Sequence, residues 1–151
     1  MYLSVAGDGS EEAKLPTPEQ ADTFAHYVQN ERLITCRVIA AIFQQLPFYR
    51  SCYGEGKVPQ LRAADELKRH IGPFCVHILR TPKDGATCLG FELGCNWDYE
   101  HGVGVLTHKG RVLYVNLSDT SICDLFGATP AILKEVLAES EKYRGINSST
   151  S

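Results

Sequence analysis

Residues 74–117 read FCVHILRTPKDGATCLGFELGCNWDYEHGVGVLTHKGRVLYVNL, and they decide the fold. Residues 74–79 alternate as a strand does. Pro82 followed by Asp84 and Gly85 supplies a turn signal, and 86–93 resume the strand pattern. Residues 102–107 and 111–117 give two more strands. The short connection His108, Lys109, Gly110 between them fits a hairpin. Consecutive strands joined by short connections predict an antiparallel meander.

Upstream, Thr17, Pro18, Glu19 and Gln20 form a capping-box pattern, with Thr17 at the N-cap, Pro18 at the first helical position and Gln20 at the third. The spacing of Phe24, Tyr27, Val28, Ile34, Val38, Ala41, Ile42 and Gln45 predicts a long helix. Pro47 is expected to end it at about Leu46. Its second half is apolar almost all round, so it is expected to be covered on more than one side. Residues 1–6 read as an edge strand and 7–16 as a loop or frayed lead-in. Residues 47–60, with their Pro and Gly, read as a linker. A short helix is expected over 61–71, stopped by Gly72 and Pro73. Downstream, 118–121 read as a loop or cap and 122–126 as a helical turn. Thr129 and Pro130 start a helix to about Tyr143, with Ile132, Leu133, Val136 and Leu137 as its stripe and Gly145 as C-cap. The fold class is α+β: a mainly antiparallel meander of four to five strands packed on a long N-terminal helix, plus a C-terminal helix. Residues 1–146 form a single domain and 147–151 a disordered tail.

The chain has 151 residues, 15 Lys plus Arg against 18 Asp plus Glu, and a net charge of −3. That balance argues against a general nucleic-acid binder. The longest apolar run, 33–43, is interrupted by Thr35 and Arg37 and falls short of a membrane span. No secretory signal is visible, so a cytoplasmic protein is expected, a monomer or weak dimer. The six cysteines contain no CxxC pair, which argues against a zinc ribbon or a thioredoxin-type site. Cys36, Cys75 and Cys88 lie in apolar stretches and are expected to be core hydrophobes. No cofactor is expected.

One segment is denser in chemistry than a turn needs: 94–105, GCNWDYEHGVGV, with the single Trp97. Three readings stay open. In the structural reading, Trp97 caps the core, the carboxylates hold loop backbone, and Gly102 and Gly104 permit a bend. In the binding reading, the same residues face a partner. In the catalytic reading, a metal-assisted hydrolase, Glu100 and His101 act as acid and base, and Cys95, Asp98 and His101 hold a metal with Glu100 behind them. No G-x-S-x-G, HExxH or phosphate-loop motif supports catalysis. Lys68, Arg69 and His70 read as a solvated helix end. Phe48, Tyr49 and Tyr53 read as a partner groove or as core packing.

The stretch WDYEHGVGV, after FELGC and before RVLYV, resembles a bacterial domain family of unknown function with a Trp-Asp-x-Glu-His-Gly-x-Gly-Val signature. Trp97, Asp98, Glu100, His101, Gly102, Gly104 and Val105 match it. The family's long upstream helix, ending near paired aromatics, corresponds to the helix before Phe48 and Tyr49. The resemblance covers about residues 18–125 and implies no particular activity. Similar domains resemble parts of bacterial immunity or toxin-neutralising systems. That implies a non-enzymatic protein-binding role, with a partner such as a co-encoded toxin. Extra strands often precede the helix in that family. Here only about 17 residues do, which implies a reduced N-terminal sheet edge.

Overall fold

The computed structural model describes residues 2–5 and 15–150, which leaves most of the expected lead-in outside it. Five strands form one sheet in sequential order: β1 (Tyr2–Val5), β2 (Ile71–Ile78), β3 (Cys88–Cys95), β4 (Asp98–His108) and β5 (Arg111–Asn116). β2 to β5 are the expected antiparallel meander. β1 pairs parallel to β2, because the long helix α1 (Pro18–Tyr53) intervenes and carries the chain back across the sheet. Two hairpin turns sit where the sequence puts them. Asp84 and Gly85 have φ of 52° and 80°, and Lys109 and Gly110 have 50° and 74°.

The sheet is covered on both faces. Against one lie Tyr27, Ile34, Val38, Ala41, Ile42 and Leu46 of α1, packed on Val76, Phe91, Leu93, Val103 and Val105. The 3₁₀ turn Ala64–Arg69 and the short helix α3 (Arg144–Asn147) also contact α1, as its apolar second half requires. The other face carries Cys88, Leu106 and Leu113 with Leu125 and Val136. It is covered by the 3₁₀ turns Ser118–Ile122 and Leu125–Gly127 and by α2 (Pro130–Ser140).

Thr17 and Gln20 make the capping box as expected. The Gln20 amide also donates to the carbonyls of Ile78 and Leu79, so the cap docks the helix start on the sheet. α1 does not stop before Pro47. It runs through to Tyr53 and ends at Gly54, whose φ is 96°. A proline inside a helix costs about 3 kcal/mol. The turn beyond it buries Tyr49; an aromatic of roughly 150–250 Å² contributes up to about 4–6 kcal/mol at ~25 cal/mol/Å², so burial wins. The helix kinks instead at Asn30 (φ −120°, ψ 17°), whose side-chain amide donates to the His26 carbonyl.

Three further expectations are corrected. β2 begins at Ile71, not after Pro73, with a bulge between Ile71 and Phe74 accommodating Gly72 and Pro73. Gly145 is not a cap but lies within α3. Asn147 Nδ2 donates to the Val112 carbonyl and its Oδ1 accepts from the Val112 amide, while Arg37 donates to the Ser149 carbonyl. Cys88 is buried as expected, but Cys75 is half-buried and Cys36 is exposed, because Cys36 lies on the outer side of α1.

Candidate functional site

The 97–101 segment is not an open loop between strands. β3 and β4 extend to Cys95 and Asp98, which pair, so only Asn96 and Trp97 form the turn. The next pair is Leu93 with Val103. Residues 99–102 therefore stand opposite the single Gly94, a bulge with three extra residues on β4. Gly102 makes that excursion possible. Its φ is 62°, and a Cβ there would lie 2.5 Å from the Leu93 carbonyl oxygen.

Each neighbour has a defined place. Trp97 is buried, with its ring centroid 5.9 Å from that of Tyr49, and its Nε1 has no acceptor among the described residues. Tyr49 in turn donates its hydroxyl to the Asn116 carbonyl, while Phe48 stays exposed. Of the paired aromatics, one thus serves the core and one the surface.

Asp98 is the centre of the corner. Its side chain is 8% exposed. It accepts the Tyr53 hydroxyl at 2.6 Å, the His101 amide at 3.0 Å and the His101 Nδ1 at 3.1 Å. Burial alone would raise its pKa, but the bonds from Tyr53 and from the His101 backbone and ring outweigh it and hold the carboxyl below its usual range. Tyr53 shows the reciprocal effect: bonded to the carboxylate, and partly desolvated, its hydroxyl is pushed up to about 12. With Asp98 ionised, the His101 Nδ1–H donates and Nε2 is the nitrogen left over, on a side chain 53% exposed. Tyr53 lies beyond Pro47, so a helix ended at Leu46 hides its part in the corner. The passage of the helix through the proline is the missing signal.

The other candidate residues do not join Asp98 and His101. Glu100 is exposed and makes no hydrogen bond or ion pair among the described residues. The Cys95 thiol is buried and donates to the Asp98 carbonyl at 3.5 Å; burial pushes its pKa up, which disfavours the thiolate a metal needs. Among the described residues, no group of three or more His, Cys, Asp or Glu is placed to hold a metal ion. Gly104 serves packing. A Cβ there would lie 2.3 Å from the Leu117 carbonyl oxygen, and one at Gly90 would lie 1.5 Å from that of Ser121. These two glycines let the 118–122 turn sit directly on the sheet.

On the other side of the hairpin lies a groove of about 280 Å³, lined by Arg69, His70, Ile71, Gly72, Asn96 and Tyr99 among others, but not by Glu100 or His101. Asn96 fixes one wall: its amide nitrogen donates to the His70 carbonyl at 2.9 Å and its side chain to His70 Nδ1 at 3.0 Å. Tyr99 is 89% exposed at the bulge tip.

The sheet, its upstream helix and this corner together fall within one family match. A family described as a domain of unknown function (DUF6985) matches residues 1–122. The chain belongs to this family. The DUF6985 match begins at residue 1, so it takes in β1, and it stops before α2. No curated protein and no solved structure matches the chain. The DUF6985 description names no activity, and no helix among the described residues is long and apolar enough to cross a membrane.

Proposed function

We propose that this chain is a non-enzymatic protein-binding module that presents the 99–101 bulge tip to a partner. The observation that carries this reading is Tyr99. It is a large aromatic, 89% exposed, on a corner fixed by Trp97 in the core and by Asp98 bonded to Tyr53. An exposed aromatic carried on a tied-down backbone corner is the kind of residue that dominates binding energy at interfaces. The partner is a protein encoded beside it, in keeping with the resemblance to immunity-associated domains, and the module acts in the cytoplasm as a monomer or weak dimer. Co-purification from the native host tests this. Tyr99→Ser should melt within about 2 °C of the parent, as surface changes do, yet lose the partner that the parent retains. Equal retention by Tyr99→Ser and by Glu100→Ala would overturn the reading.

A second reading rests on the Asp98–His101 pair, a buried carboxylate orienting an imidazole with a free Nε2. That is the arrangement of a general base. It is a hydrolase reading with His101 as base, held by Asp98; Glu100, expected as the acid, makes no bond to this pair. It predicts hydrolysis of an ester or phosphoester probe that is lost in His101→Asn. No hydrolysis by the parent protein across a panel of such probes would sink it.

A further inference from the structure

Lys68, Arg69 and His70 are consecutive, and none has a carboxylate partner among the described residues. They lie at the end of the 3₁₀ turn Ala64–Arg69, with Lys68 and Arg69 exposed, in a chain whose net charge is −3. A basic residue at the end of a helix is commonly just solvated. Here Arg69 and His70 open onto a concave surface, while Lys68 stands beside it and lines a neighbouring apolar pocket. Arg69 and His70 form one wall of the 280 Å³ groove and the Tyr99 side forms the other. Between them the floor includes Gly72 and Gly94, both exposed and both without a side chain, where another backbone can approach closely. His70 is not free to swing, because Asn96 holds both its carbonyl and its Nδ1.

We propose that this groove takes an extended acidic segment of the partner protein. A carboxylate would meet Arg69 in the groove and a second would reach Lys68 beside it, the segment's backbone would pass over Gly72 and Gly94, and Tyr99 would pack along its side. Charge complementarity selects the occupant. Arg69 in the groove and Lys68 beside it are too few and too local for the extended phosphate tracking of a nucleic-acid surface. This inference rests on the protein-binding reading above, and names the chemistry of what is bound.

The test uses the full chain and three fluorescein-labelled ten-residue peptides that alternate Gly or Ser with Glu, Gln or Lys. A ten-nucleotide single strand of DNA serves as a fourth probe. Fluorescence anisotropy at low salt should give a Kd for the Glu peptide at least tenfold below that for the Gln peptide, and no binding of the Lys peptide. Lys68→Glu with Arg69→Glu should weaken the Glu peptide at least tenfold without changing the melting temperature, since both side chains are exposed. Raising the salt to about 0.3 M should weaken it too. Equal affinity for Glu and Gln peptides, or no binding of the Glu peptide, overturns the proposal. Tighter binding of the DNA also overturns it and makes the groove phosphate-directed. Co-purification from the native host separates the two readings. If the doubly charge-reversed protein still retains the native partner that Tyr99→Ser loses, the binding module stands and the acidic occupant falls.

Discussion

Asp98→Asn removes one charge and almost no volume, so it isolates what the carboxylate does for the corner. In the parent, three hydrogen bonds converge on a carboxylate whose side chain is 8% exposed. Bonds to a charged, shielded group contribute about 1.5–3 kcal/mol each, roughly twice a neutral one. Asparagine keeps one acceptor oxygen, enough for the His101 amide. It also turns an NH₂ toward either the Tyr53 hydroxyl or the His101 ring, which must then reorient. The expected net loss is about 2 kcal/mol, or roughly 4–8 °C in Tm for a chain of this size. The effect is pH-dependent. The folded pKa of Asp98 is depressed, so its contribution is fully present above the unfolded pKa of ~3.9 and is lost as pH falls through the folded value. Tm should be followed by circular dichroism from pH 7 to pH 2.5. The gap between parent and variant should be widest near pH 7, begin to narrow below about pH 4 and keep narrowing as pH falls toward 2.5. Tyr53→Phe should cost about 1.5 kcal/mol alone, and the double variant less than the sum. A Tm shift under 2 °C, with a gap that does not change with pH, would refute the claim that Asp98 ties the helix end to the sheet.

Gly90→Ala puts a Cβ against the Ser121 backbone and should lower Tm by at least 5 °C, whereas Gly94→Ala, with open space around it, should shift it by less than 2 °C in the same scanning-fluorimetry experiment. Under native conditions a thiol reagent should modify Cys36 and Cys52 first. Cys88 and Cys95 should react only on unfolding, because both are buried and burial pushes both thiols up. Removing residues 147–151 should cost about 2 kcal/mol and speed deuterium exchange at the Val112 amide, since both Asn147 bonds and the Arg37 bond to Ser149 are lost. His101→Asn should leave Tm within about 3 °C, because an Asn amide can replace the Nδ1–H donor to Asp98, and His101→Ala should lower it further.

The strands and their turns were legible in the sequence because their signals are local. A period of two and an Asp-Gly or Lys-Gly pair act over a few residues, and the positive φ values at Asp84, Gly85, Lys109 and Gly110 are where those pairs stand. The failures are all cases where a distant contact decides. Pro47 is a helix breaker by local rules and is overruled by the burial of Tyr49. The bulge at 99–102 depends on which residues pair across from it, and Asp98 finds its partner Tyr53 forty-five residues away. Asn147 reads as part of a polar tail until the backbone of Val112 is in place to receive it. Cys36 reads as core because the whole second half of α1 is apolar, and only the docking of that helix shows which side faces out.

The same distinction sorts the signature segment by role. Trp97, Asp98, Gly102 and Gly104 are each committed to the fold: a ring in the core, a carboxylate with three donors, a positive φ against Leu93, and a bare backbone under the 118–122 turn. A substitution at any of them changes stability first, so loss of binding there carries no information about a binding surface. Tyr99 and Glu100 are in the opposite position. Both are exposed, and nothing in the described fold bonds to Glu100, so a phenotype at either reports on what lies outside the chain. His101 belongs to both sets, one ring nitrogen serving Asp98 and the other facing out. Alanine there mixes the two effects, and only a residue that keeps the Nδ1-side donor while deleting Nε2 separates them. The polar chemistry of the corner is therefore mostly committed to the fold, and Tyr99, Glu100 and the outer side of His101 are the positions at which a variant tests the proposed binding.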